Sequence, residues 1–296
     1  MLAIATALTL LLTGSAEMEL AGMTPREKAS AVVVAGLPAG EGFGGVLVRR
    51  WNTEAPRPRA AIVFADQEGG LVKTFAELPP WRAPSEYGDA TEAFRAGRET
   101  AAALRRVGVH ASFAPVLDLS DGPLGSRQFS RAEYGVAFAR GLGRSACVKH
   151  FPGLGSTPVS TDEARPHGSL RASDLAPFRA AVRAGVPCVM VGHAIYPRLG
   201  SRRASFEPET YRVLRRLGFD GVAITDSLGV LGSPYAPYWA RLALRAGADL
   251  VLTTSARDAA RMIEALVPLA RRGDLDEKVL RVLRYRRSLG VPPRSP

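Results

Sequence analysis

The amino-acid sequence predicts an α/β fold, a single (β/α)8 barrel of the TIM type. Eight short apolar runs alternate with longer stretches of helical periodicity, and the runs are nearly continuous rather than alternating in polarity. This pattern is typical of parallel strands that helices cover on both faces. Five of the runs deliver an ionisable residue at their carboxyl end. Barrel strands deliver side chains to one mouth in this way, because their carboxyl ends converge there.

The eight apolar runs that predict strands lie between residues 29 and 253. They are Ala29–Leu37, Gly45–Val48, Ala60–Ala65, Ala111–Leu117, Ala146–Val148, Pro187–Val191, Gly221–Thr225 and Asp249–Thr253. A doubly wound open sheet is the competing fold, but it is disfavoured because no Gly-x-Gly-x-x-Gly motif follows the first strand.

Six segments with helical spacing lie between or after these runs. They are Asp89–Val107, Glu133–Leu142, Ala172–Ala184, Tyr235–Ala246, Arg257–Arg272 and Leu275–Leu289. Ser173 is a candidate N-cap for the third helix, and Gly185 is its stop signal. No linker and no second domain follow the last strand.

The barrel is predicted to cover residues 17–290. The two ends of the chain outside it differ from it in composition. Residues 1–16 are apolar and end in small residues, which resembles the core of a secretory signal and favours an exported or envelope-associated protein over a cytoplasmic one. The proline-rich tail over residues 291–296 is expected to be loose. Cys147 and Cys188 lie in apolar runs, where buried free thiols are expected.

The chain of 296 residues has a formal net charge of +11. The basic residues are scattered rather than grouped, and aromatic residues do not interleave with them, so a nucleic-acid platform is disfavoured. An arginine-rich composition is the simplest interpretation, and an anionic cell-wall polymer stays open as a partner. No spacing of cysteine and histidine predicts a metal site, and no phosphate-binding loop predicts a nucleotide, so no cofactor is expected.

The strand ends supply a set of side chains suited to a sugar. The ionisable residues within two positions of the predicted strand ends are Asp66, Asp118, Lys149, His150, His193 and Asp226, and Arg127 lies shortly after the fourth strand. Carboxylates accept hydrogen bonds from hydroxyl groups and cations donate to them, which together fix the orientation of a sugar ring. A carboxylate such as Asp226 can attack or stabilise an oxocarbenium-like centre. Taken singly, Asp118 could organise only a turn, and one histidine is more often structural.

Five motifs in this order resemble the N-terminal barrel domain of family 3 glycoside hydrolases. They are Asp66–Gly70 (DQEGG), Ala114–Asp118 (APVLD), Lys149–Gly153 (KHFPG), Gly192–Pro197 (GHAIYP) and Ile224–Leu228 (ITDSL). The resemblance covers about residues 23–290, and the single-domain length is most similar to the bacterial β-N-acetylglucosaminidase, or β-hexosaminidase, branch.

The resemblance implies roles for individual residues. Asp226 matches the nucleophile of a retaining mechanism that passes through a covalent glycosyl-enzyme. The residues that match the family's sugar-binding side chains are Asp66, Arg127, Lys149 and His150. His193 matches a residue near the anomeric side of the sugar.

One loop departs from the pattern of this branch. The segment after KHFPG usually contains an Asp-Ser-His triplet whose Asp and His serve as the acid/base pair. Ser160 stands here in place of that Asp, and Asp162 in place of that His. Asp162 is therefore the first candidate for the general acid/base, Glu163 the second and His167 the third.

Three functions are compatible with these features. The first is a retaining exo-β-N-acetylglucosaminidase that acts on peptidoglycan-derived or chitin-like saccharides. The second is a glycosidase or glycoside phosphorylase of other sugar specificity. The third, motivated by the altered loop at Ser160 and Asp162, is a catalytically impaired barrel that only binds sugar.

Overall fold

Eight parallel strands form a barrel, in a computed structural model that describes residues 16–119 and 122–293. The barrel strands are β1 (Val33–Gly36), β2 (Gly45–Val48), β3 (Ile62–Ala65), β6 (Ala111–Ser112), β7 (Cys147–Phe151), β8 (Cys188–Val191), β9 (Val222–Ser227) and β10 (Leu250–Thr253). A hairpin of β4 (Gln67–Gly69) and β5 (Val72–Lys73) extends from the end of β3. All eight predicted strands are confirmed.

The sheet closes on itself between β6 and β7. The hydrogen-bonded order is β6-β3-β2-β1-β10-β9-β8-β7. The two outer strands are joined by the parallel bridges Ser112–Ala146 and Val116–Lys149. The predicted strand Ala111–Leu117 is cut short because Pro115 has no N–H group to donate to a ladder. Closure excludes the doubly wound open sheet.

Eight helices that lie wholly within the described part of the chain surround the barrel. They are α1 (Pro25–Ala31), α2 (Ala90–Arg106), α3 (Ala132–Leu142), α4 (Ala172–Arg183), α5 (Pro208–Arg216), α6 (Ala236–Ala246), α7 (Ala256–Arg271) and α8 (Asp276–Ser288). The six predicted helices are confirmed, whereas the short helices α1 and α5 were not predicted. No helix separates β1 from β2 or β2 from β3 within these fully described segments.

Two local predictions are wrong. Residues 29–31 belong to α1 rather than to the first strand, because Thr24 and Glu27 form a capping box that starts a helix there. Ser173 is not the N-cap of α4, since the helix already begins at Ala172. The Asp174 carboxylate instead accepts a hydrogen bond of 2.8 Å from the backbone N–H of Arg171.

Alternate residues of the strands fill two separate layers of the core. Val34, Phe64 and Phe113 point into the barrel, while Val33 and Ala35 pack outward against the helices. Side chains of α8, including Tyr285, pack against the interior layer. Because Tyr285 also reaches the Arg144 carbonyl, just before β7, α8 covers the amino-terminal end of the barrel and leaves the carboxyl end as the mouth.

The expectation of two free thiols is wrong, because Cys147 and Cys188 form a disulfide. They are register partners in the adjacent strands β7 and β8 and are fully buried in the interior layer. Apolar patterning cannot reveal the register that aligns the two cysteines. The bond spans a sequence separation of 41 residues, and a loop of this length corresponds to roughly 4 kcal/mol of stabilisation in the chain-entropy model.

Both ends of the described chain pack on the barrel. Residues 16–22 are helical, and Ala16 is fully buried. Glu19 in that segment forms ion pairs of 2.6 Å with Arg286 and 2.9 Å with Arg287 of α8. Val291, the first residue of the predicted tail, is buried. The predicted signal-like residues before Ala16 lie outside the described part of the chain, as do residues 294–296. Across the described residues, no helix is both long and apolar enough to cross a membrane.

Candidate active site

A buried carboxylate, Glu68, lies at the centre of the barrel mouth. Its side chain has no exposed surface and accepts two hydrogen bonds from Arg127, 2.8 Å from Nε to Oε2 and 2.9 Å from Nη2 to Oε1. Lys149 Nζ lies 2.6 Å from Oε1 of the same carboxylate. Glu68 thereby fixes two of the predicted sugar-binding residues. It stands in the DQEGG motif, but sequence reasoning gave it no role.

Lys149 also links Glu68 to Asp66. Its Nζ lies 2.8 Å from Asp66 Oδ1, and the Asp66 side chain is 37% exposed whereas that of Lys149 is only 4% exposed. Lys149 is thus held by the buried Glu68, while part of the Asp66 carboxylate is exposed at the mouth. We call the four residues Asp66, Glu68, Arg127 and Lys149 the charge network.

Mutual attraction keeps the buried members of the charge network ionised. Burial by itself would raise the pKa of Glu68, but Lys149 and Arg127 outweigh it and lower that pKa to about 2. Burial would likewise lower the pKa of Lys149, but Asp66 and Glu68 raise it above its ordinary value. Each buried charge has a partner at hydrogen-bond distance, which is the condition for keeping an ion out of water.

His150 is oriented by a second buried carboxylate, that of Asp118. Asp118 Oδ2 lies 2.7 Å from His150 Nδ1, and Asp118 Oδ1 accepts a 2.7 Å hydrogen bond from the Leu154 N–H. A carboxylate accepts hydrogen bonds, so the proton is assigned to Nδ1 and Nε2 is left as the nitrogen available to a ligand. Asp118 therefore does more than shape a turn, because it joins the strand end of β7 to the loop that follows.

Asp226 lies near the end of β9 with a partly exposed side chain. Burial would raise its pKa, but His150, His193, the Ser227 N–H and Lys149 together lower that pKa below the usual value. The Ser227 N–H donates to Oδ1 over 2.7 Å. Asp226 is therefore an ionised carboxylate whose Oδ2 has no hydrogen-bond donor among the described residues.

His193 is a buried and neutral neighbour of Asp226. Its Nε2 lies 3.1 Å from the Ser227 carbonyl oxygen, which can only accept, so the ring proton is assigned to Nε2. Its Nδ1 then accepts from the Ser205 hydroxyl, 2.7 Å away. Burial lowers the pKa of His193. A neutral ring with both nitrogens engaged positions the end of β9 and is a poor proton donor to a substrate.

The acid/base candidates lie on the loop after β7. Asp162, Glu163 and His167 are all exposed, whereas Ser160 is buried. The negative charge of Asp162 acts to raise the pKa of His193, so Asp162 is within electrostatic reach of the residues around Asp226.

The same loop is anchored at both ends. The Tyr196 hydroxyl donates to the Gly153 carbonyl over 2.7 Å, and the Ile195 N–H donates to the Pro166 carbonyl over 2.9 Å. The loop between these contacts is therefore held at the mouth, beside the segment that follows β8.

The predicted residues thus fall into a buried group and a peripheral one. The strand-end residues Asp66, Lys149, His150, His193 and Asp226 interact with one another through hydrogen bonds or charge, and Arg127 joins them through Glu68. Asp162 stands at the edge of this group on its loop. Within the described segments, no group of three or more acidic, histidine or cysteine side chains is arranged to hold a metal ion.

Comparison with known proteins identifies the family. Residues 47–285 match the model of the glycosyl hydrolase family 3 N terminal domain. The chain belongs to this family. A β-hexosaminidase of Stenotrophomonas maltophilia K279a is 36% identical over 228 residues, which cover 67% of this chain and 68% of that protein. A β-hexosaminidase of Neisseria meningitidis serogroup C is 36% identical over 260 residues, covering 73% of this chain and 72% of that protein.

Solved structures agree with this assignment. A glycoside hydrolase family 3 β-N-acetylglucosaminidase from Paenibacillus sp. superposes with a TM-score of 0.80 at 27% identity, over 93% of this chain and 65% of that chain. NagZ from Neisseria gonorrhoeae, solved with N-trifluoroacetyl-D-glucosamine, gives a TM-score of 0.68 at 27% identity, over 85% of this chain and 89% of that chain. The chain is a glycoside hydrolase with a carbohydrate substrate, and the barrel predicted from its sequence is the family fold.

Replacing Glu68 tests the charge network. In Glu68→Gln, Lys149 and Arg127 lose their shared counter-ion, so we expect the free energy of unfolding at pH 6 to fall by about 3–5 kcal/mol. The wild-type pKa of about 2, against 4.5 for an ordinary Glu, means that the stabilisation is present above pH 4.5 and is lost as the pH falls towards 2. Urea unfolding at pH 6 and pH 3 measures it.

The matched control for this prediction is Glu277→Gln, because the Glu277 side chain is 89% exposed. It should change stability by less than about 1 kcal/mol at either pH. A difference between wild type and Glu68→Gln that is the same at pH 6 and pH 3 would contradict the ionised state assigned to Glu68.

Proposed function

We propose that this protein is a retaining exo-acting β-N-acetylglucosaminidase that removes terminal N-acetylglucosamine from peptidoglycan-type or chitin-like saccharides. The supporting observation is the ionised, partly exposed Asp226 beside the charge network. The β-hexosaminidase names of the relatives and the N-acyl glucosamine bound to the gonococcal NagZ support the sugar class. No cofactor is required for this chemistry.

The charge network is suited to hold the non-reducing sugar. Asp66 has one carboxylate oxygen on Lys149 and the other available to accept from ring hydroxyls. The Arg127 Nη1 group is not used in the contacts with Glu68, which engage Nε and Nη2, so it can donate to the substrate. Because ion pairs hold these side chains in place, sugar binding should require little reorganisation of them.

Asp226 is proposed as the nucleophile. Its Oδ2 attacks the anomeric carbon while the bond to the leaving oxygen breaks, which gives a covalent glycosyl-enzyme with inverted configuration. Water then attacks the same carbon, releases the Asp226 carboxylate and restores the original configuration. The charge of Lys149 and the Ser227 N–H help to keep the carboxylate ionised between the two steps.

Asp162 is proposed as the general acid/base, with Glu163 and His167 as the next candidates. In the first step it protonates the leaving oxygen, and in the second it removes a proton from water. The influence of its charge on His193, which contacts the residue after Asp226, supports a position near the reacting atoms. Ser160 cannot take this role, because its hydroxyl is not acidic and accepts a hydrogen bond from the Asp162 N–H.

The nucleophile is tested with Asp226→Asn. We expect kcat/KM on an aryl β-N-acetylglucosaminide to fall by at least roughly a thousandfold, because an amide cannot form the glycosyl-enzyme. Early product from the wild type should be the β-anomer by proton NMR. Wild-type rates that require added phosphate would indicate a phosphorylase, and binding of N-acetylglucosamine without any turnover would indicate a sugar-binding barrel.

The acid/base is tested with Asp162→Asn. Hydrolysis of a substrate with a poor leaving group should slow by about 10²–10⁴-fold, while a nitrophenyl glycoside, which needs little protonation, should lose less in its first step. Added azide attacks the glycosyl-enzyme without help from a base. It should therefore restore part of the rate on the nitrophenyl glycoside and give a glycosyl azide as the product. Glu163→Gln is the matched control, and a larger loss in that variant would move the role from Asp162 to Glu163.

We also propose that the protein is exported or associated with the cell envelope. The Cys147–Cys188 disulfide supports this location, since disulfides persist mainly in oxidising compartments. The intact mass of protein secreted from cells that express the full chain should correspond to loss of the apolar N-terminal segment, with no free thiol after denaturation. A mature protein that retains residues 1–15 and two titratable thiols would refute the proposal.

A further inference from the structure

The end of the barrel opposite the mouth has an open cavity with a cationic lining. The basal cavity, as we call it, has a volume of about 710 Å3 and lies between α5, the end of α6 and the beginning of α8. Its charged lining residues are Arg212, Arg215, Arg216, Arg245, Lys278 and Arg281. All lining residues belong to the described part of the chain, and none of them is acidic.

A buried acid behind the lining fixes two of these guanidinium groups. Asp249 has no exposed side-chain surface, and its Oδ2 lies 2.7 Å from Arg215 Nη2 while its Oδ1 lies 2.8 Å from Arg281 Nε. Asp249 uses only the Nε group of Arg281, and Glu277 Oε2 is 3.8 Å from Nη2, beyond hydrogen-bond distance. Both terminal amino groups of Arg281 can therefore donate hydrogen bonds to a ligand. The Asp249 carboxylate also accepts from the Ala223 N–H. The guanidinium groups of Arg215 and Arg281 are therefore held in place before a ligand binds.

Two further cations have no acidic partner. Within the described residues, neither Lys278 nor Arg245 lies within 4.0 Å of a carboxylate oxygen or makes a side-chain hydrogen bond. Arg245 is in the last turn of α6, where a cation interacts favourably with the helix dipole. Lys278 is in the first turn of α8, where a cation opposes the dipole, and it is half-buried. Its burial also lowers its pKa. Helix stability therefore does not explain the position of Lys278.

We propose that the basal cavity binds the phosphate groups of a linear polyanion. Guanidinium forks and an ammonium group are the donors that bind phosphate oxygens best. The cavity of about 710 Å3 has six cations on its lining. Arg212 and Arg216 pair with Glu209 of the same helix, as Arg215 and Arg281 pair with Asp249. The six cations exceed these two acids by four charges, which is more than one phosphate requires, so a ligand with several phosphates in a row fits the size and charge of the cavity. The site lies at the opposite end of the barrel from Asp226, which allows the polyanion and a glycoside to bind at the same time.

The lining disfavours the other large anionic partners. Its one aromatic residue, Tyr211, is buried, so the cavity offers no surface on which bases could stack. The large apolar side chains that are exposed, such as Trp51 and Trp81, do not line the cavity, so no apolar group is available there to enter a membrane. A flexible polyphosphate or phosphodiester chain remains the ligand that matches the surface.

Calorimetry on the full chain tests this site with two probes, inorganic tripolyphosphate and a poly(glycerol phosphate) chain. The test variant is Lys278→Gln/Arg245→Gln, which should fold because neither side chain makes a described hydrogen bond. We expect at least about tenfold weaker binding of both probes in this variant. Arg95→Gln/Arg98→Gln is the matched control, since it removes the same charge from exposed positions on α2, and it should change Kd by less than about twofold.

The outcomes separate the site from general electrostatic attraction. Equal weakening in the test and control variants, or no binding of either probe to the wild type, would overturn the site. Tighter binding of single-stranded DNA than of poly(glycerol phosphate) would overturn the ligand class. Binding of the phosphate polymer but not of tripolyphosphate would still support the site and assign it to a polymer. Each of these readouts is independent of glycosidase activity, so the proposed function can fail without affecting them.

Discussion

The burial of the Glu68 carboxylate between Lys149 and Arg127 is the constraint on which the active site depends. An unpaired charge at this depth would cost several kcal/mol, so the buried Glu68 carboxylate requires its two cations. The consequence is geometric, because Lys149 and Arg127 come from distant parts of the chain and are fixed at one carboxylate. Lys149 also helps to lower the pKa of Asp226, so the network proposed to orient the sugar also acts on the proposed nucleophile.

The sequence predicts the barrel well because strands buried on both faces are continuously apolar, which makes them recognisable in the sequence. A strand covered on both faces reads as a short apolar run, and the residue after it falls at the mouth, as with Asp66, His193 and Asp226. Boundaries were less predictable where a local effect decided them. The capping box at Thr24 converted the start of an apolar run into helix, and Pro115 interrupted another run.

Contacts between residues that are distant in the sequence could not be predicted from it. Glu68 follows Asp66 by two residues and is buried only because the chain turns into the β4–β5 hairpin there. The disulfide depends in the same way on the register of β7 and β8, which places Cys147 opposite Cys188. Both features require knowledge of which residues are neighbours across the sheet, and single-chain periodicity carries no such information.

The position of the acid/base candidate follows from the same distinction between strands and loops. Asp226, Lys149 and His150 belong to strands whose hydrogen bonds fix their backbone. His193 lies two residues after a strand and is held through Ser205 and Ser227. Asp162 is instead on a loop that is anchored near Gly153 and Pro166 but exposed between them. The position of the leaving oxygen differs between substrates, so the proton donor must be able to adjust to it. The same group must also contact water in the second step. A loop at the edge of the mouth meets both requirements. The nucleophile has no such latitude, because attack on the anomeric carbon requires one fixed distance and direction. A change of the acid/base side chain is therefore more compatible with retained chemistry than a change in the charge network would be.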